Sequence, residues 1–321
     1  MIRIRPYQPR DAQQVCDLLT KHTSYQRDAA FWLWSNRVWP ESRSIVTVAE
    51  EEGVVVGHYA ILPLTLNVGN RKLSAGIGVH AFIAPSHRKK VPIFQISKKC
   101  YAQAKEAGLQ LIWGFPNANY CLIQEKVEGW QRVELFDAWV KPVAQKDASR
   151  LKIKSIDPDD STQLLQLNDL LDACSLGDRA GWGASLAGWL DRYHHHPQNT
   201  YQFHIAQSGA EAVAALVTKE YNDPDSCDSV GHLIDVANMP QIDVGGLVTA
   251  LENWFAPRVD RLCWWPVNNE FREAMMVSGF KATGFSTFFG IKLLDPELEK
   301  ERSQLTNPSN WHLVMGMSDV F

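Results

Sequence analysis

The sequence predicts an α/β (α+β) fold made of one module repeated in tandem, each copy a mixed, largely antiparallel sheet flanked by helices. Three observations carry this. "WLWSNRVWP" (32–40) and "WLDRYHHHP" (189–197) share Trp-Leu and a closing proline at an offset of 157 (197 − 40). "TVAEEEGVVVGH" from Thr47 and "HIAQSGAEAVAA" from His204 keep that offset, and each reads as strand, turn, strand. "LIWGFPNAN…EGWQRV" (111–133) is matched by "LCWWPVNNE…SGFKAT" (262–283), in each case an apolar strand with Trp and Pro, then Asn, then a helix ending in Gly-aromatic. A single repeat of this length means duplicated domains and not a solenoid.

Taken in order, "IRIRPY" alternates as a short strand, and "RDAQQVCDLL" after a polar turn has the spacing of an amphipathic helix. A second helical piece, two hairpin strands, a long strand, a loop, a helix, a strand, a further helix and a closing strand follow. The second copy opens the same way, with "LKIKSIDPDDSTQLLQLNDLL". The polar stretch "VAQKDASRLK" (143–152) marks the junction, giving domains at 1–147 and 148–295 and a tail at 296–321.

At 321 residues the chain suits two domains, and 45% hydrophobic with 21% charged residues is ordinary for a soluble protein. No run of about 18 apolar residues suggests a membrane span, and the start shows no secretory pattern, so a cytoplasmic location is expected. The six cysteines are spread without CxxC spacing, which argues against zinc and disulfide frameworks. A net charge of −4 argues against a general nucleic-acid binder. "HHH" (194–196) invites a metal reading, but consecutive histidines point in different directions and no carboxylate stands at ligand spacing, so no metal is expected.

The element order, with an Asn-containing strand-to-helix turn before "GW" or "GF", resembles the GNAT superfamily of acyl-CoA-dependent N-acyltransferases, once in each half. "VHAFIAPSHRKKVPIFQISKKCYAQAKEAGLQLIWGFPN" is similar to a subgroup associated with bacterial surface polysaccharides, and "RYHHHP" and "MGMSDVF" resemble its two-domain members. Met317 stands where those tails usually carry Asp. The resemblance implies transfer of a short acyl group, acetyl or 3-hydroxybutyryl in type, from coenzyme A to the amine of a nucleotide-linked (dTDP- or UDP-) amino-deoxysugar. Acylation of another small amine, or a non-catalytic binding protein of the same fold, are the rival readings.

In this family a glycine loop wraps the CoA pyrophosphate with backbone N–H groups at a helix start. Here "HRKKVPI" puts Lys89 and Val91 at the glycine positions, so Arg88, Lys89 and Lys90 are expected to supply side-chain charge, with Pro92 and Ile93 opening the helix. The equivalent stretch of the second half, "ANMPQIDVGGLV", carries no Arg or Lys, and that half is expected to complete the acceptor pocket.

By the same resemblance, the backbone of Phe82, Ile83 and Ala84 corresponds to the strand that pairs with pantetheine and supplies the oxyanion donor. His80 on that strand is either the base for the ammonium or a satisfied structural histidine. Asp235, its counterpart, either binds the acceptor or pairs within its own domain. The tyrosine that often protonates the thiolate, four residues before Gly-aromatic, is replaced by Glu125 and Met275. Asn117 either contacts pantetheine or caps a helix, Asn119 is the favoured cap, and Tyr120 lies close by. Trp34, Trp39 and Trp265, with Asn268, are the expected acceptor-side residues.

Overall fold

The computed structural model describes residues 1–22, 28–35, 44–144, 149–224 and 226–318. The first half runs β1 (Ile2–Pro6), α1 (Ala12–His22), α2 (Ala29–Ser35), β2 (Ile45–Glu51), β3 (Val54–Val68), β4 (Arg71–Ile83), α3 (Ile93–Glu106), β5 (Leu111–Gly114), α4 (Ala118–Ile123) and β6 (Gln131–Pro142). The second runs β7 (Leu151–Ile156), α5 (Ser161–Ala173), β8 (Ala180–Trp182), α6 (Leu186–Trp189), β9 (Gln202–Ser208), β10 (Glu211–Asn222), β11 (Ser229–Asn238), α7 (Val244–Phe255), β12 (Arg261–Trp264), α8 (Asn269–Ser278) and β13 (Lys281–Leu293). Apart from the extra β8, the order repeats as the sequence predicts. The fold is a mixed α/β one, with a large, mostly antiparallel sheet flanked by helices.

One sheet takes in all thirteen described strands, in the order β1-β2-β3-β4-β5-β13-β6-β12-β11-β10-β9-β7, with β8 on the far end of β3. Only β4 with β5 and β11 with β12 run parallel. The two halves exchange their last strands: β13 lies against β5 and β6 lies against β12, and the two exchanged strands pair with each other at the centre. Gly290 opposes Gly114 in one exchange and Trp139 opposes Trp264 in the other.

Buried contacts fasten the exchange. Lys141 on β6 reaches Glu252 on α7 at 2.7 Å, with both side chains nearly buried, and pairing offsets the cost of removing each charge from water. Lys292, at the equivalent place on β13 (292 − 141 = 151), bonds the Glu128 carbonyl at 2.6 Å. Aromatic rings fill the seam: Phe115 lies 5.1 Å from both Trp265 and Phe289, and Phe289 lies 4.8 Å from Trp311 of the C-terminal segment. Trp34 of α2 donates to the Asp191 carbonyl at 2.9 Å, joining the two helices that carry the first repeat signature. Among the described residues no helix is long and apolar enough to cross a membrane.

Candidate acyl-CoA cleft and its closed counterpart

β4 and β5 pair from Ala75 with Leu111 to Ile77 with Trp113 and then part, leaving β4 to run on to Ile83 beside β3 alone. A bulge interrupts β4 opposite Tyr59, since Ala60 faces Val79 while His58 faces Phe82. His80 sits in it at φ 53°, a left-handed conformation that costs about 1–3 kcal/mol in a non-glycine residue and concentrates at functional sites. The Ala84 amide bonds the Val56 carbonyl at 2.8 Å, so strand alternation turns the polar groups of Ile83 away from β3 and toward the parted side. Of Phe82, Ile83 and Ala84, Ile83 is the residue that presents them there, and the Arg88 Nε reaches its carbonyl at 3.4 Å.

A cleft of about 650 Å³ opens at this parting, a volume suited to a small molecule. Phe82, Ile83, Arg88, Val91, Pro92, Ile93, Asn117 and Tyr120 all line it, together with Ala81, Phe94, Asn119, Ile123 and Val127. Pro92, which offers no side-chain acceptor, is the N-cap of α3, and the start of that helix, Pro92, Ile93 and Phe94, lines the cleft together with Arg88. Ala84, Lys89 and Lys90 stand outside the lining. Lys90 Nζ lies 3.2 Å from Glu51, and His87 Nε2 lies 2.9 Å from the same carboxylate. These neighbours hold the Glu51 carboxyl below its ordinary range, the His87 contact most of all. Asn117 caps α4 by accepting from the Tyr120 amide at 3.0 Å, so the cap favoured at Asn119 falls two residues earlier.

The second half repeats the parting and closes it. β11 pairs with β12 only at Val230 and Gly231, and five residues beyond the first pair stands Asp235, as His80 stands five beyond Ala75. The chain's own residues 311–318 lie in the gap. The His312 ring bonds the Val236 carbonyl at 2.9 Å, and the Leu313 amide bonds Val267 at 2.8 Å. At Gly316 a Cβ would stand 2.0 Å from the Tyr193 hydroxyl and 3.3 Å from the Ile234 carbonyl, which is why glycine is needed. The cleft equivalent to the first survives only on the α7–α8 side, lined by Asp243, Glu270 and Glu273 without a cation.

The comparisons agree with this geometry. Residues 3–125 match the family model described as acetyltransferase (GNAT) domain. Residues 3–125 are thus similar to a GNAT acetyltransferase domain, and acyl-CoA-dependent N-acyl transfer is the activity that this match supports. No curated protein matches the chain. The chain is similar in fold to a GCN5-related N-acetyltransferase from Anabaena variabilis, at 12% identity and TM-score 0.63, over 92% of this chain and 73% of that one. It is similar to a probable N-acyltransferase from Enterococcus faecalis, a conserved protein of unknown function, at 11% identity and TM-score 0.68, with the same coverage. An N-myristoyltransferase from Saccharomyces cerevisiae, solved with myristoyl-CoA, gives 10% identity and TM-score 0.60 over 90% of this chain and 82% of that one.

Around the cleft, the remaining expected residues are distributed as follows. His80 is not part of the lining; its ring faces α2, 6.4 Å from Phe31 and 6.0 Å from His58. Asp235 is buried and accepts from Tyr193 at 2.8 Å and Trp182 at 3.1 Å. Burial pushes its carboxyl up to about 6, against the pull of those bonds. Asn268 is the buried N-cap of α8, bonded to the Phe271 amide, and Trp265 is buried in the seam. Trp34 is half-buried against His196, 4.2 Å between ring centres, while Trp39 lies outside the described residues. His194 and His195 pair with Asp159 and Asp191, and no metal-binding cluster occurs among the described residues.

Two features of the cleft and its counterpart were not foreseen from the sequence. One is the role of the closing segment 311–318: "MGMSDVF" stood out by resemblance alone, and nothing in it told that the segment fills the second half's parting. The other is Glu128, a buried carboxylate in the π-helical turn Gln124–Glu128 that follows α4. Its one sequence signal is its place directly before Gly129, which turns the chain at φ 73°.

Proposed function

We propose that the protein transfers a short acyl group from one acyl-CoA, held in the first half's cleft, to a primary amine presented from the seam between the halves. The observation that carries this is the pair of partings: one open, with a helix start and Arg88 beside it, the other filled by residues 311–318. An anionic pyrophosphate is stabilised by helix N–H groups and a guanidinium. The acidic lining of the second cleft repels it. In this reading the Ile83 amide stabilises the oxyanion of the tetrahedral intermediate. His80, on the opposite side of the bulge, takes the proton that frees the amine. The chain divides functionally at about residue 147 into an acyl-CoA half and an acceptor half.

For the acceptor we propose a nucleotide-linked amino-deoxysugar. This rests on the resemblance of "APSHRKKVPIF", "GFPN" and "RYHHHP" to the polysaccharide subgroup and on the aromatic surface that Trp34 and His196 build where the halves meet. The test is thiol release from acetyl-CoA with a panel of dTDP- and UDP-amino sugars, amino acids and polyamines. Release with the amino sugars alone supports the assignment. Release only with amino acids or polyamines reassigns the acceptor, and release with none removes the transferase reading.

A further inference from the structure

The parting of β4 from β5 has an outer end, beside Arg88 and the start of α3, and an inner end, where the two strands pair. On β4 the cleft lining runs inward from Ile83 as far as Ala81. Three residues further in stands Gly78. A Cβ there would collide with the Tyr59 hydroxyl and lie 3.3 Å from the ring carbon that bears it, so the tip of a β3 side chain fills the place where residue 78 would carry its own. Across the parting, a Cβ on Gly114 would stand 3.3 Å from the Gly78 carbonyl and 3.4 Å from the Trp130 ring. Two glycines thus let two large rings close in where the strands begin to diverge.

Hydrogen bonds join these rings into a wall. The Tyr101 hydroxyl of α3 donates to that of Tyr59 at 3.4 Å, and the Trp130 indole donates to Tyr101 at 2.9 Å. The Tyr59 ring lies 5.6 Å from that of Tyr101, edge to face, and 6.4 Å from Tyr120, which lines the cleft. Tyr59 and Trp130 are 1% and 4% exposed, so the wall belongs to the packed core. In the second half Leu216 stands at the place of Tyr59 (216 − 59 = 157). Leu233 there lies three beyond Val230, as Gly78 lies three beyond Ala75. A tyrosine reaching past a glycine is particular to the half whose parting is open.

We propose that Tyr59, with Trp130 beside it, is the stop that limits the transferred acyl chain to about four carbons. This rests on the transferase reading above, in which the pyrophosphate lies at the outer end and the Ile83 amide faces the thioester oxygen. The acyl chain is the far terminus of the donor, so it continues inward, toward the wall. From Ile83 to Ala81 the lining spans two strand residues, about 7 Å in length. An extended acetyl, propionyl or butyryl group fits that length. A hexanoyl group overruns it and meets buried rings.

The test measures the dissociation constants of acetyl-, butyryl-, hexanoyl- and octanoyl-CoA by calorimetry, on the unaltered protein and on Tyr59→Leu. In the unaltered protein, affinity should hold from acetyl to butyryl and fall at least about tenfold at hexanoyl, the cost of overfilling a packed site. Tyr59→Leu should narrow the gap between hexanoyl- and acetyl-CoA to under about threefold, whereas a role in folding alone would weaken all four alike. The series on the unaltered protein is decisive even where Tyr59→Leu does not fold. Equal affinity there for acetyl- and octanoyl-CoA overturns the inference and leaves the transferase reading in place. A folded Tyr59→Leu protein that keeps the original break does the same. Failure of the unaltered protein to bind any of the four removes the reading of the cleft itself, and the inference with it.

Discussion

Acid should unfold this protein between about pH 6 and pH 5, earlier than carboxylate titration alone would bring it about. Four histidines are held neutral by burial: His58, His204 and His232 are pushed down to about 3 and His312 to about 4. In the unfolded chain each takes a proton near 6.5, so below that pH the unfolded state binds more protons and stability falls as pH falls. The loss is about 1.4 kcal/mol per histidine for each pH unit, or roughly 2 kcal/mol each and 8 kcal/mol together at pH 5. Asp235 acts in the opposite sense: with its folded value raised to about 6, neutralising it on the way from pH 7 to pH 5 returns about 1.4 kcal/mol. The net loss is comparable with the whole stability of an ordinary domain, about 5–15 kcal/mol. Urea midpoints read by tryptophan fluorescence at pH 7, 6 and 5 check this. His58→Phe gives a second readout, because among the described residues neither ring nitrogen of His58 has a hydrogen-bond partner and the ring lies 5.6 Å from Trp32. That variant should flatten the pH dependence by about a quarter. A midpoint at pH 5 equal to that at pH 7, or an unchanged slope in His58→Phe, would refute the reasoning.

Gly316→Ala should destabilise the protein by about 1–3 kcal/mol in thermal melts, because the added methyl meets the buried Tyr193 hydroxyl and the β11 backbone. Arg88→Ala should weaken acetyl-CoA binding by about tenfold or more in calorimetry, the size of a lost charge-assisted hydrogen bond. Lys90→Ala should change it little, since Lys90 is engaged with Glu51 outside the cleft.

The duplicated order of elements was legible because strand alternation, helix spacing and turn residues are local signals, and each occurs twice. The strand exchange was not. The pattern of β6 and β13 shows which faces are buried, but nothing in a two-residue period says which strand lies alongside. The loop at 84–94 shows the same limit for charge. Its three cations are plain in the sequence, but the partner that draws Lys90 and His87 away from the cleft is Glu51, on a strand 39 and 36 residues earlier. Asn117 and Asn268 were visible as turn asparagines at matching places, and both prove to be helix caps. Gly316 and Glu128 have meaning only through distant neighbours, Tyr193 for one and Ser97, Tyr101 and Tyr120 for the other.

The most direct test of the central claim is a calorimetric titration of the intact protein with acetyl-CoA. One equivalent per chain is expected, because one parting is open and the other is filled by the chain itself. Two equivalents would mean that residues 311–318 do not close the second cleft. No binding would mean that the open cleft, despite its helix start and Arg88, does not hold coenzyme A.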